Sequence, residues 1–188
     1  KALATSGDYR LAASAYDNAS TCYDREYLFQ WSEMQLRIHT DTEAAVLAYV
    51  ACTPTATTVC PPPLPLAIAT EPYQPDYFMI NGRSMPDDMD TTYAPNYPTQ
   101  PYNGNPHMLP GDLVLMRVIG QGRIQHPFHI HGNHARVLGR DGNLILSQTA
   151  NSTKLAGPLE FTIPTVSGQA VDAIFTWSGK GLNWDVYG

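Results

Sequence analysis

The segment Gln125-His126-Pro127-Phe128-His129-Ile130-His131-Gly132-Asn133-His134 gathers four of the chain's six histidines within nine residues. Imidazole is a neutral nitrogen donor that suits Zn, Cu, Fe and Ni, so the chemistry offered here is metal coordination. On an extended strand, residues two apart share a face, which would set His129 and His131 side by side, within reach of one ion or of two neighbouring ions. His126 has the opposite parity. Pro127 disfavours regular pairing and is expected to turn the strand, so that His126 looks into an adjacent site. His134 is read as a hydrogen-bonding support for a ligand rather than a ligand itself. His39 and His107 stand in polar surroundings with no second donor close in sequence, and read as structural or exposed.

Strands must position these side chains, and the rest of the sequence supplies them. Glu26–Ser32 is aromatic and partly alternating, and reads as a strand. Asp112–Ile119 follows a Pro-Gly turn, and Ala135–Gly139 is expected to pair with Asn143–Leu146 across Asp141-Gly142, a hairpin signal. Leu159–Ile163 and Ala170–Trp177 complete the set, and short strands at this spacing indicate an antiparallel sandwich or barrel. A short helix is expected over Asp41–Ala48, where an Asp cap precedes good helix formers. The Pro-rich stretch 52–75 and the Pro, Asn, Gly and Tyr-rich stretch 85–111 read as long loops. At the start of the second, the acidic Ser84–Asp90 offers carboxylates to a cation but reads first as a solvated loop. No internal repeat is present.

Composition agrees with an all-β class: only 15% of the 188 residues are charged, while Pro (16), Gly (14) and Tyr (11) are abundant. The net charge of -6 and the scattered Lys and Arg give no basic stripe for nucleic acid. No run is apolar enough to span a bilayer, and a secretion signal, if used, is expected to lie upstream of Lys1 or to have been removed. Three cysteines leave at least one unpaired within the chain. Cys52 and Cys60 bracket a Thr-rich loop and could close it; Cys22 with either, or three free thiols, are the alternatives.

HPFHIHG is similar to the His-Pro-x-His-x-His-Gly motif of multicopper oxidases, laccase-like enzymes built from cupredoxin domains. Tyr77–Arg83 (YFMINGR) resembles the family's LINGR segment, and Leu109–Asp112 with Met116–Ile119 resembles its GD-x-V-x-x-R strand. Val137–Gly142 and Ser167–Asp172 are similar to the V-I-x-x-D-G and P-G-Q-x-x-D elements. Tyr23–Glu33 is like the strand that enters a family domain from the preceding one. The likeness covers about residues 22–188.

This resemblance implies a cupredoxin-like Greek-key β-sandwich over 22–188 with long Pro-rich loops, a Pro-rich insertion around 52–75 and one short helix. Residues 1–21 would be an N-terminal extension or a linker from a preceding domain. It implies copper as the cofactor, with His126 serving the mononuclear blue copper and His129 and His131 serving the trinuclear cluster where dioxygen is reduced to water. Two departures qualify it. The family's His-Cys-His strand corresponds to Gly181–Gly188, which contains neither His nor Cys, and the chain has one His-x-His pair where the family uses several.

The implied function is therefore a domain or fragment of a multicopper oxidase, inactive as an isolated chain. It would be completed by other cupredoxin domains of the same protein or by a partner chain. Dioxygen and a small reducing substrate or metal ion would be its reactants, and its place extracellular or periplasmic. The contrasting reading is a catalytically inactive structural or assembly subunit with a residual histidine site. A cupin-like metalloenzyme fits poorly, because no acidic residue follows His131 before Asp141.

Overall fold

Eleven strands carry most of the regular structure in the computed structural model, which describes residues 14–60, 67–149 and 152–179. They are β1 (Arg25–Met34), β2 (Tyr77–Ile80), β3 (Val114–Gly120), β4 (His126–His129), β5 (Ala135–Arg140) and β6 (Asn143–Leu144), then β7 (Leu146–Thr149), β8 (Ser152–Leu155), β9 (Leu159–Glu160), β10 (Thr162–Thr165) and β11 (Ala170–Phe175). A seven-stranded sheet runs in the order β2-β1-β3-β11-β5-β6, with β9 also on β5, while β4 pairs with β10 and β7 with β8. The chain divides into two units, one formed by residues up to Ser32 and from Met79 on, the other by Glu33–Phe78.

In the first unit the sheet is apolar on both faces at its centre. Val114, Met116 and Val118 on β3, Ala135 and Val137 on β5, and Val171, Ala173 and Phe175 on β11 alternate at a period of two. All but Val118 pack with Phe29 and Ile163 into one core cluster. Leu115 and Leu138 point the other way and are buried with Ala15 and Tyr23. Each such side chain contributes roughly 1.5–3 kcal/mol when fully buried. Two-sided burial is why β3 reads as the near-continuous apolar run VLMRVI rather than as alternation. The Asp141-Gly142 hairpin forms as the sequence predicts, both residues having positive φ (50° and 77°), as a tight two-residue turn requires.

The expected antiparallel architecture needs correction at one pairing: β1 and β3 are parallel, from Arg25 opposite Val114 to Trp31 opposite Gly120. A long connection separates them, which a parallel pair requires. β11 pairs antiparallel with both β3 and β5. The described residues thus form a mostly β structure of open sheets with one helix, rather than an all-β one.

Charged groups fasten the face of this sheet that carries Leu115 and Leu138. Arg117 donates to Glu26 at 2.5 Å and lies 3.8 Å from Asp172. Tyr23 donates to Glu26 at 3.0 Å, and the Tyr16 hydroxyl donates to Asp172. Burial first, then the Asp172 carboxylate, raise the Tyr16 phenol well above its ordinary range. Asp112 accepts from Arg25 at 2.6 Å and from the Leu109 amide at 2.8 Å. Burial opposes its charge, but these two donors outweigh burial and hold its pKa below the usual 3.8.

A depressed carboxylate stabilises the fold above its ordinary pKa and loses that contribution as pH falls through the lower, folded value. Arg25→Ala is therefore expected to cost about 1 kcal/mol at neutral pH, and the deficit should shrink in acid once Asp112 is protonated. Urea unfolding of both proteins at neutral pH and in acid measures it.

The long loop after β2 is built around an arginine. Asn81 (φ 53°) and Gly82 (φ 81°) reverse the chain, and the Asn81 amide donates to the carbonyls of Leu28 and Asn103 at 2.8 and 2.9 Å. Arg83, only 2% exposed, then donates to the carbonyls of Gln100 (2.9 Å), Thr91 (3.2 Å), Asp90 (3.3 Å) and Asp87 (3.5 Å) and lies over the Tyr97 ring at 4.5 Å. The acidic Ser84–Asp90 stretch wraps this internal guanidinium through its carbonyls.

The second unit, Glu33–Phe78, holds α1 (Leu36–Ala51), which begins well before the predicted Asp41. Its first turn is capped from far along the sequence: the Leu36 amide donates to the Asp76 carboxylate at 2.7 Å. No α1 residue is buried. Of the alternatives left open for the cysteines, the structure joins Cys52 to Cys60, with Cα atoms 5.7 Å apart, and leaves Cys22 a free, exposed thiol. Closing so short a loop contributes about 2–3 kcal/mol. Among the described residues no helix is long and apolar enough to cross a membrane.

Candidate metal centre

The histidine segment lies on β4, which pairs antiparallel with β10: His126 opposite Thr165, Pro127 opposite Pro164, Phe128 opposite Ile163 and His129 opposite Thr162. One further backbone bond, from the Ile130 amide to the Phe161 carbonyl at 2.7 Å, fixes the phase of the ladder. Hydrogen-bonded and non-bonded pairs alternate, so 128/163 and 126/165 are bonded pairs while 127/164 and 129/162 are non-bonded. Two prolines facing each other in a non-bonded pair sacrifice no ladder bond. This is why Pro127 does not turn the strand as the sequence suggests.

Alternation then sorts the side chains. His126 and Phe128 face inward, and the Trp31 ring stacks on His126 (centroids 5.8 Å, planes 14° apart) and meets Phe128 edge-on at 6.1 Å. Phe128 also packs on Phe29 at 4.9 Å. His126 is half-buried, and its carbonyl accepts from the Thr165 hydroxyl at 3.2 Å. His129 faces the opposite side and is exposed. Side chains of a non-bonded pair approach closely, and His129 Nδ1 accordingly lies 2.6 Å from the Thr162 hydroxyl.

His131 lies past the end of β4, in a turn that Gly132 (φ 70°) completes. Its ring nevertheless meets that of His129, with centroids 5.1 Å apart and planes at 67°. Metal–nitrogen bonds of about 2 Å put each ring centre about 3 Å from a bound ion, so two rings on one ion lie about 4–6 Å apart. The pair fits that spacing. With Nδ1 engaged by Thr162, His129 presents Nε2 outward, the arrangement in which a hydrogen bond to one ring nitrogen orients the other as a ligand.

The pair is nonetheless incomplete: among the described residues no group of three His, Cys, Asp or Glu side chains is placed to hold one ion. His134, read from sequence as a support for a ligand, is exposed and has its ring against Phe161 at 5.4 Å. Phe161 also meets His129 edge-on at 5.6 Å, so one aromatic ring separates the two imidazoles. His39 and His107 are exposed and away from this cluster in sequence. Residues 181–188, where the thiolate strand would fall, lie outside the described residues. Sequence reasoning missed Trp31, Phe161 and Thr162; each meets the histidines only through pairing across the fold, which leaves no local signal.

A family model described as multicopper oxidase matches residues 69–176, more than half of the chain. The chain belongs to the multicopper oxidase family. No curated protein matches it. Among solved structures it is similar to Fet3p, a multicopper oxidase that functions in iron import, at 13% identity and a TM-score of 0.48, over 86% of this chain and 23% of that one. It is similar to the laccase from Botrytis aclada at 14% identity and 0.46, over 85% and 24%. The blue copper oxidase from Nitrosomonas europaea aligns at 18% and 0.44, over 81% and 33%. The chain thus spans about a quarter to a third of these multicopper oxidase structures.

Thr162 gives this multicopper oxidase domain a specific test. Thr162→Val keeps the shape and removes the hydroxyl that orients His129. Cu(II) affinity is expected to fall about tenfold with little change in stability, as read by calorimetric titration.

Proposed function

We propose that this chain is one cupredoxin-like Greek-key domain of a multicopper oxidase and supplies histidine ligands to two kinds of copper site. His126 would serve the mononuclear blue copper, while His129 and His131 would serve the trinuclear cluster. The observation that carries this reading is the meeting of the His129 and His131 rings, with Thr162 orienting the first of them. The position of His129 on the opposite face of β4 from His126, with the His131 ring meeting it from the following turn, supports a division between two sites. When bound, copper would supply one-electron oxidation of a small reducing substrate or metal ion and reduction of dioxygen to water. The chain's own contribution is positional. Trp31 holds the His126 ring by stacking, the β4–β10 ladder sets His129, the turn after β4 brings the His131 ring against it, and the exposed pair is left open to ligands from elsewhere.

Those further ligands would come from other cupredoxin domains of the same protein or from a partner chain. Cys22 is an exposed thiol that donates to the Ala19 carbonyl at 3.2 Å. The Cys52–Cys60 disulfide favours an oxidising compartment, extracellular or periplasmic. Metal analysis tests the proposal. The chain alone should bind Cu(II) without strong blue absorption, and should bind more copper when the rest of the oxidase is present. Absence of bound copper in both samples would instead favour a structural or assembly subunit.

A further inference from the structure

On the face of the large sheet that carries Leu138 and Ile174 lies a cavity of about 310 Å³. Its walls are apolar, from Leu138, Leu155 and Ile174 among others, and its polar groups include Arg136 and His134, with no acidic residue lining it among the described residues. The arginines around it are treated differently. Arg117 holds Glu26 and Asp172, and Arg140 holds Glu160 at 3.2 Å. Arg136, half-buried, has one hydrogen bond, from Nη1 to the Gly157 carbonyl at 2.8 Å, and among the described residues no carboxylate pairs with it. In a chain of net charge -6, a cavity whose described lining offers a cation and no acid is a local reversal.

A guanidinium against an apolar wall recovers its lost hydration best from a planar anion that accepts two of its N–H groups. We infer that this cavity binds a small amphipathic monocarboxylate, the carboxylate on Arg136 and the apolar body against Leu138, Leu155 and Ile174. Its volume falls at the lower end of the range for small-ligand pockets, which suits a body the size of an octyl chain or a phenyl ring.

Cys22, the exposed thiol that lines the same cavity, provides an internal reporter. Octanoate should bind in calorimetric titration and slow the reaction of Cys22 with a disulfide reagent, whereas acetate, which lacks the apolar body, should do neither. Octanamide, which keeps the body and lacks the charge, should bind at least tenfold more weakly. Arg136→Gln should lower octanoate affinity at least tenfold and leave octanamide unchanged. Leu159→Trp, which fills the cavity from the exposed position opposite Arg136 on the neighbouring strand, should block octanoate. Equal binding of octanoate and octanamide, octanoate binding unchanged in both variants, or no protection of Cys22 at saturating octanoate would each overturn the assignment.

Discussion

Replacing Arg83 by alanine is expected to destabilise the chain by about 3–4 kcal/mol, the largest effect of any single substitution proposed for this molecule. The guanidinium is almost fully buried and is the common donor to the carbonyls of Asp87, Asp90, Thr91 and Gln100. Removing it strands acceptors that the loop turned inward for its sake, at about 1–3 kcal/mol for each that water cannot reach. It also removes the cation from the face of Tyr97. Arg83→Lys keeps the charge but not the planar fork, so most of the loss should persist. Urea unfolding measures both, and a loss below about 1 kcal/mol for the alanine variant would show that the loop does not depend on this side chain.

The second large effect concerns copper. His129→Ala combined with His131→Ala should weaken Cu(II) binding about 100-fold, equivalent to about 2.7 kcal/mol, while leaving stability nearly unchanged. Both side chains are exposed, so their removal opens no core cavity. They are also the two imidazoles whose rings meet. His134→Ala should have little effect on affinity, because that ring rests against Phe161 rather than beside the pair. Calorimetric titration of the three proteins distinguishes loss of a joint site from a general loss of histidine.

Much of this was legible in the sequence where the cause is local. The Asp141-Gly142 hairpin could be read because few residues tolerate positive φ in a two-residue turn. The clustering of His126, His129 and His131 was equally plain. What could not be read depends on partners distant along the chain. The helix α1 starts early because Asp76 caps it from outside, a signal absent around Gln35. Pro127 suggested a turn in the strand, yet Pro164 opposite makes the pairing harmless. Parity placed His129 and His131 on one face, and the rings do meet, although His131 reaches that position from a turn. The role of Arg83 was invisible because backbone carbonyls leave no mark in a sequence.

Electron paramagnetic resonance of the chain with equimolar Cu(II) addresses whether His129 and His131 act together as copper ligands. Two imidazole nitrogens should couple to the metal, one should remain in His129→Ala or in His131→Ala, and His134→Ala should leave the spectrum unchanged. A two-nitrogen spectrum that survives removal of both His129 and His131 would contradict the assignment of the pair.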